Sequence, residues 1–219
     1  MRFSEILTGA ALVVLASSQT PTPYYDSTSG ISYSSVTQAN GVTFRVALPV
    51  AVTPADAILQ VIAPVKYGWC GFAWGGHMIN NPLSVSWPTG ATTGQKSIVS
   101  SRMALGYTAV PSPYPNATYT PIKGPAANST HWTLTTRCQG CTIWSSSDGD
   151  FNIQNETEAV FAYACSSTPP VTPSSNTSDI QVHEEFGIWG HDLSAAKNAS
   201  FSSWVKAAGN ASVASRFWA

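Results

Sequence analysis

Residues 68–88 constrain the fold more than any other stretch, because they place four glycines and three tryptophans between two apolar, strand-like runs. Glycine lets the backbone come close to a bulky group, and tryptophan shields that group from water. Met78 stands at the tip of the turn that Gly75 and Gly76 begin, where its thioether could face a pocket. A methionine taken alone is more often core filler. The stretch therefore predicts two strands and a turn that borders a pocket.

The composition indicates a single β-rich domain. The chain has 219 residues, of which 43% are hydrophobic and only 10% are charged, with a net charge of −1. This charge offers no basic face for nucleic acid. Eight residues each of Trp, Tyr and Phe are too many for a disordered chain. Serine, threonine, glycine and proline abound while lysine and glutamate are rare, which favours strands and turns over helices.

Short apolar segments with β-type patterns recur along the chain and predict an antiparallel sandwich. We expect residues 20–36 to begin as an extended arm and residues 180–190 to form a short strand followed by an aromatic turn. Asp192 is a candidate N-cap for a helix over residues 194–208. The other predicted strands are 42–48, 58–65, 69–74, 83–87, 97–107, 131–137 and 159–165. The fold class is thus all-β, with one short C-terminal helix.

The N-terminus predicts secretion. Residues 1–18 combine a positive start, a short apolar run and small residues, so we expect a signal peptide cleaved before Gln19 and one domain over 19–219. The apolar run is too short to span a bilayer. Six glycosylation sequons support a secreted glycoprotein. Their asparagines are Asn116, Asn128, Asn155, Asn176, Asn198 and Asn210.

Four cysteines form an even set, which fits an oxidising compartment. Cys138 and Cys141 are spaced like a redox motif or half a zinc site, but their Thr/Ser-rich surroundings lack the strand-to-helix context and the second ligand pair that those uses need. A short structural disulfide is the better interpretation. Cys70 and Cys165 are candidates for a second disulfide.

Several segments together resemble the cytochrome domain of cellobiose dehydrogenase, a secreted fungal haem b module of the DOMON-like iron reductase type. Two motifs in combination are specific for this family: a Gly-Gly-x-Met turn and an Arg-Cys-Gln-Gly-Cys-Thr-x-Trp string. The matching segments are 69–78, 100–107, 130–144 and 183–192. The resemblance covers nearly all of the mature chain and implies an immunoglobulin-like sandwich that holds one haem b.

The resemblance also implies the haem iron ligands. The axial methionine matches Met78 and the axial histidine matches His183. His191 lies in the same segment and is the alternative ligand, whereas His77 is adjacent to Met78 and is expected to point elsewhere. A thioether and an imidazole fill both axial positions, so such a haem transfers electrons and does not activate oxygen.

Two further residues are candidate cofactor contacts. Tyr107 matches a tyrosine that lies near a haem propionate in the family, and Arg102 could neutralise a propionate or simply lie at a strand edge. Met103 and His131 are expected to be structural. The carboxylates show no pair arranged for glycosidase chemistry.

The implied function is extracellular one-electron transfer by an electron carrier, not catalysis on a substrate at the haem. The resemblance implies a flavin dehydrogenase or small reductant as donor, and a copper-dependent lytic polysaccharide monooxygenase or Fe(III) as acceptor, in lignocellulose breakdown by a filamentous fungus. Contacts with partners would be transient and the protein monomeric, with no membrane or nucleic-acid partner.

Two alternatives stay open. A haem-free sandwich could bind carbohydrate through surface aromatics, but this leaves Met78 and His183 unexplained. A secreted copper monooxygenase needs a histidine at the mature N-terminus, whereas cleavage here would expose Gln19 and no histidine precedes His77.

Overall fold

The structure, a computed structural model, describes residues 20–52 and 55–212, with side chains of the last helix described to residue 207. The predicted signal peptide therefore lies outside the described residues. The strands are β1 Thr22–Asp26, β2 Ile31–Thr37, β3 Thr43–Pro49, β4 Asp56–Pro64, β5 Trp69–Ala73, β6 Pro82–Pro88, β7 Ser97–Met103, β8 Ser112–Pro113, β9 Thr118–Pro121, β10 His131–Gln139, β11 Ile143–Ser146, β12 Gly149–Asn152, β13 Glu158–Ser166, β14 Glu185–Asp192 and β15 Lys197–Asn198. A 3-10 turn at Ile153–Asn155 and helix α1 Phe201–Ser212 complete the described elements. Within these ranges, no helix is long and apolar enough to cross a membrane.

The strands form two antiparallel sheets packed face to face, which confirms the predicted sandwich. The first sheet has the order β1-β2-β3-β4-β10-β9, and the short β15 pairs in parallel with the end of β3. The second sheet has the order β14-β13-β5-β6-β7-β8. Strands β11 and β12 form a separate hairpin. The second sheet carries the candidate site on its outer face.

The core between the sheets is rich in aromatic residues. Phe44 of the first sheet packs against Phe72 and Trp189 of the second, with ring centroids 5.5 Å apart in each case. Trp74 packs edge-on to Phe72 at 4.9 Å and to Phe161 at 5.9 Å. Offset and edge-to-face contacts of this kind stabilise aromatic cores beyond the area they bury. The alternation of β5 and β13 thus turns the large residues inward.

Both predicted disulfides are present. Cys70 of β5 pairs with Cys165 of β13, and these two residues stand directly opposite each other in neighbouring strands. The prediction of this second bridge is confirmed. Cys138 and Cys141 pair across the turn that follows β10, and no described cysteine is free. The same strand end is held by Arg137, which forms a bidentate ion pair with the buried Asp56 of β4.

The predicted C-terminal helix was placed too early. The structure has strand β15 inside the expected range 194–208, and α1 begins only at Phe201. Asp192 ends β14, and its side chain accepts a hydrogen bond from Ser194 N in a turn instead of capping the helix. The reason is long-range pairing, because the Leu48 backbone N–H bonds the Ala196 carbonyl and draws this segment to the sheet edge.

Two other predictions of local structure were wrong. Residues 20–36, which were expected to begin as an extended arm, form the paired hairpin β1–β2. Residues 180–184 are irregular, and the expected aromatic turn is strand β14, which pairs with β13 over eight residues. The glycines of that segment therefore lie within a strand. His183 stands in the loop just before it.

Candidate functional site

An apolar pocket lies on the outer face of the second sheet, and small side chains form its floor. Ala73 and Gly71 of β5 stand opposite Ala162 and Ala164 of β13 in the strand register. All four residues line the pocket. Because side chains alternate along a strand, Phe72 and Phe161 pack into the core and leave small side chains on this face, with the Trp69 ring beside Gly71 at one end. The floor can therefore receive a large planar group.

Three loops and one strand wall the pocket, whose volume is about 520 Å³. The loops contribute residues 76–78, 107–111 and 180–183, and β14 contributes Phe186 and Ile188. No Asp, Glu, Lys or Arg is among the described residues that line it. A pocket of this size and polarity is typical of a site that buries a cofactor.

The Met78 turn has a backbone that depends on glycine. Gly76 adopts a φ of +82°, which glycine tolerates and other residues rarely adopt. A Cβ on Gly76 would also lie 2.7 Å from Cγ1 of Val160. The turn can therefore pack tightly against β13 and bring Met78 to the pocket, where Met78 is a lining residue.

His183 reaches the same pocket from a different loop. Its ring lies edge-on to Phe186 with centroids 5.6 Å apart. The Nδ1 atom is buried and has no hydrogen-bond partner among the described residues. Nε2 of His191 is likewise buried without a partner among the described residues, so this feature does not distinguish the two histidines. Met78 and His183, which the family resemblance implies as ligands, thus line the same pocket.

His191, the alternative ligand, points the other way. It is buried in the core between the sheets, 5.2 Å from the Phe161 ring, and does not line the pocket. Its Nδ1 accepts a hydrogen bond from Trp189 Nε1 at 3.0 Å. Burial lowers the pKa of His191 to about 4, so the ring is neutral near pH 7. His77 was expected to point away from the site, but it lines the pocket beside Met78.

The two candidate propionate contacts lie in different environments. Tyr107 lines the pocket and is exposed. Arg102 is buried and is not a lining residue, because its guanidinium donates hydrogen bonds to Ser100 Oγ and to the carbonyls of Pro111 and Ser178. Burial lowers the pKa of Arg102, and the nearby Asp179 opposes this shift. Arg102 thus connects the two segments that lead to loops 107–111 and 180–183.

Exposed apolar side chains surround the pocket mouth. Val182 is 84% exposed and Phe186 is 69% exposed, and Tyr107, Val110 and Ile188 are exposed as well. Contiguous apolar surface of this kind marks a binding site. A bound apolar macrocycle would cover part of it. The floor of small side chains and this exposed rim fit a large apolar cofactor such as haem in a pocket that Met78 and His183 line.

Comparison with known proteins agrees with this geometry. Residues 24–203 match the family described as the cytochrome domain of cellobiose dehydrogenase. The chain belongs to this family. Membership implies a haem protein with an electron-transfer role.

Two solved structures have the same fold. The cytochrome b domain of pyranose dehydrogenase from Coprinopsis cinerea superposes with a TM-score of 0.76 at 31% identity, covering 87% of this chain and 97% of that domain. The cytochrome domain of Myriococcum thermophilum cellobiose dehydrogenase gives a TM-score of 0.75 at 29% identity with the same coverage.

A curated relative is much longer than this chain. The pyrroloquinoline quinone-dependent pyranose dehydrogenase of Coprinopsis cinerea is 32% identical over 217 residues. The match covers 96% of this chain but only 29% of that protein. The similarity therefore concerns the cytochrome portion of that relative.

Sequence reasoning missed the residues that hold the Met78 turn in place. Asn80 and Asn81 follow the turn, and Trp144 packs beneath Gly75, where a Cβ would lie 2.9 Å from its ring. The only available signal was the Trp that ends the Arg-Cys-Gln-Gly-Cys-Thr-x-Trp string. In this chain the end of that string thus packs against the start of the Gly-Gly-x-Met turn.

Proposed function

We propose that this chain is a secreted haem b electron-transfer protein in which Met78 and His183 are the axial ligands. The observation that carries the proposal is that these two residues, 105 positions apart in the chain, line one apolar pocket with a floor of small side chains. Bound there, haem would supply a one-electron iron couple whose potential a thioether ligand raises. The apolar walls would exclude water and lower the local dielectric, which also tunes that potential.

The cysteines support a haem that is held without covalent attachment. A c-type haem is attached through a Cys-x-x-Cys-His motif. In this chain Cys141 is followed by Thr142, and Cys138 and Cys141 are joined in a disulfide. Retention of the haem would then rest on Met78, His183 and the apolar walls.

We further propose that the electron donor is an extracellular sugar-oxidising dehydrogenase, either flavin-dependent or quinone-dependent. Support comes from the names of the relatives, one of which is a quinone-dependent pyranose dehydrogenase and another a cellobiose dehydrogenase. The acceptor would be a copper-dependent polysaccharide monooxygenase or Fe(III). The exposed apolar rim at Phe186 and Val182 would make the contact, and a small interface is adequate for transient electron transfer.

Stopped-flow absorbance spectroscopy tests this function. The haem-loaded protein is mixed anaerobically with a cellobiose- or pyranose-oxidising dehydrogenase and its sugar, and then with a copper monooxygenase in its oxidised state. We expect reduction of the haem in the first step and its reoxidation in the second, with one electron per haem. A protein that binds no haem but binds oligosaccharide would contradict the proposal and favour the carbohydrate-binding alternative.

A further inference from the structure

One buried side chain fills the inside of the turn that carries Met78. Asn81 is only 1% exposed. Its Nδ2 donates a hydrogen bond to the Ile79 carbonyl at 2.7 Å and lies 3.0 Å from Nδ1 of His77. Ile79 and His77 are the two residues that flank Met78. The amide therefore connects the backbone on one side of Met78 to the side chain on the other.

Asn81 also accounts for the glycine that begins the turn. A Cβ on Gly75 would lie only 1.6 Å from Oδ1 of Asn81 and 2.9 Å from the Trp144 ring. The Asn81 amide and the Trp144 indole occupy the space that a Cβ at position 75 would need. The turn is thus built around the Asn81 side chain, and the β11–β12 hairpin closes it from below through Trp144.

The neighbouring Asn80 fastens the outside of the turn. It is the one non-glycine residue with a positive φ in the described part of the chain, at +59°. Its backbone N–H donates to the Ala104 carbonyl at 2.8 Å, and its Nδ2 donates to Ser147 Oγ at 2.8 Å and to Asp148 Oδ2 at 3.1 Å. A strained residue persists only where its surroundings hold it. The conformation around Met78 is therefore fixed from several sides.

We propose that Asn81 is a positioning residue for Met78. The inference rests on the proposed function, in which Met78 is an iron ligand. A methionine side chain has three rotatable bonds and no polar anchor of its own, so its direction depends on the backbone that carries it. Asn81 restrains that backbone through the Ile79 carbonyl on one side of Met78 and contacts the His77 side chain on the other. Its hydrogen bonds keep the thioether directed into the pocket and the sixth coordination position closed.

Binding of carbon monoxide to the reduced, haem-loaded protein tests this role, because carbon monoxide binds ferrous haem only where an axial position opens. The variants are Asn81→Ala, which empties the turn, and Asn81→Asp, which keeps the shape but cannot donate. The matched control is Gln154→Ala. Gln154 is also a buried amide, and it donates to the Asp56 carbonyl at the same distance of 2.7 Å, away from the pocket.

We expect only a small carbon monoxide-bound fraction in the wild type, and the same small fraction in Gln154→Ala. Loss of a buried hydrogen bond shifts a local equilibrium by about tenfold, so the carbon monoxide-bound fraction should rise about tenfold or more in both Asn81 variants. The reduction potential should fall in the same two variants as thioether ligation weakens. If Asn81→Ala does not fold, carbon monoxide binding and the reduction potential of the isosteric Asn81→Asp test the role of Asn81.

The outcomes separate the two proposals. A wild type that carries six-coordinate haem, with Asn81 variants that exclude carbon monoxide equally well, overturns the role of Asn81 and leaves the proposed function standing. An equal response in Gln154→Ala also overturns it, since the effect would then be general destabilisation. A wild type that binds no haem, or whose haem is unaffected by Met78→Ala, refutes the proposed function and the inference with it.

Discussion

Glycine at position 76 meets two requirements at once. Its φ of +82° lies in the left-handed region, and its missing Cβ leaves room for Val160 of the neighbouring strand. Gly90 has a similar φ of +76°, but nothing stands within 4 Å of the place where its Cβ would be. The pair therefore separates the cost of the backbone conformation from the cost of the close contact.

We predict that Gly76→Ala lowers the free energy of unfolding by more than Gly90→Ala does. Gly90→Ala should lower the free energy of unfolding only by the cost of the left-handed backbone, about 1–2 kcal/mol. Gly76→Ala has the same cost and adds a steric contact beside Met78. Haem affinity should fall in Gly76→Ala alone. Urea unfolding and haem titration measure the two quantities. Equal losses in both variants would show that the contact with Val160 is unimportant.

Among the elements, the pair β5–β13 organises the site. One face of the pair carries Phe72, Phe161 and the disulfide between Cys70 and Cys165, and the other face carries the small residues of the pocket floor. The two faces follow from the period of two along each strand. The disulfide therefore stabilises the floor from behind without contributing to the pocket surface.

Removing this disulfide should weaken the fold and leave the site chemistry intact. In the variant Cys70→Ala/Cys165→Ala we expect a loss of about 2–4 kcal/mol in the free energy of unfolding, because the bridge spans 95 residues. The variant Cys138→Ala/Cys141→Ala is the control, since a separation of 3 constrains the unfolded chain far less. Denaturant melts give the stability, and the visible spectrum of haem-loaded protein should be unchanged in Cys70→Ala/Cys165→Ala. A larger loss in the control would contradict the argument.

Secondary structure that depends on residues close together in the sequence could be predicted, whereas structure that depends on long-range strand pairing could not. The strands β3, β6, β10 and β13 follow from local alternation, and β4 follows from a continuous apolar run. These strands and β5 lie where the sequence places them within one to two residues. Strand β14 and the start of α1 were missed because pairing with β13 and β3 decides them. Met78 and His183 came from a family resemblance, whereas Asn81 looks like an ordinary turn residue until the fold buries it.

At the scale of the whole molecule, the second sheet separates two histidines, one on the side of the pocket and one on the side of the core. His183 borders the pocket, and His191 is enclosed in the core. None of the five sequon asparagines whose side chains the structure describes lines the pocket, and Asn116, Asn128, Asn155 and Asn176 are exposed. Glycans at these positions would therefore not be attached to residues that line the pocket.

The buried His191 predicts how stability depends on pH. Burial depresses its pKa to about 4 from an unfolded value of 6.5, so the unfolded chain binds the proton first as the pH falls. Its contribution is fully present above pH 6.5 and is lost progressively down to about pH 4. We expect a difference of about 3 kcal/mol between the two limits. Urea melts of wild type and His191→Gln across this range measure it. A wild-type curve parallel to that of His191→Gln would contradict the prediction.

The visible absorption spectrum, recorded oxidised and then reduced, tests the central claim most directly. It should be compared among the haem-reconstituted wild type, His183→Ala and the matched variant His191→Ala. If Met78 and His183 hold the iron, the wild type and His191→Ala will show sharp low-spin b-type bands, and His183→Ala will lose them. An intact spectrum in His183→Ala, or a wild type that stays colourless after reconstitution, would contradict the assignment of this pocket as the haem site.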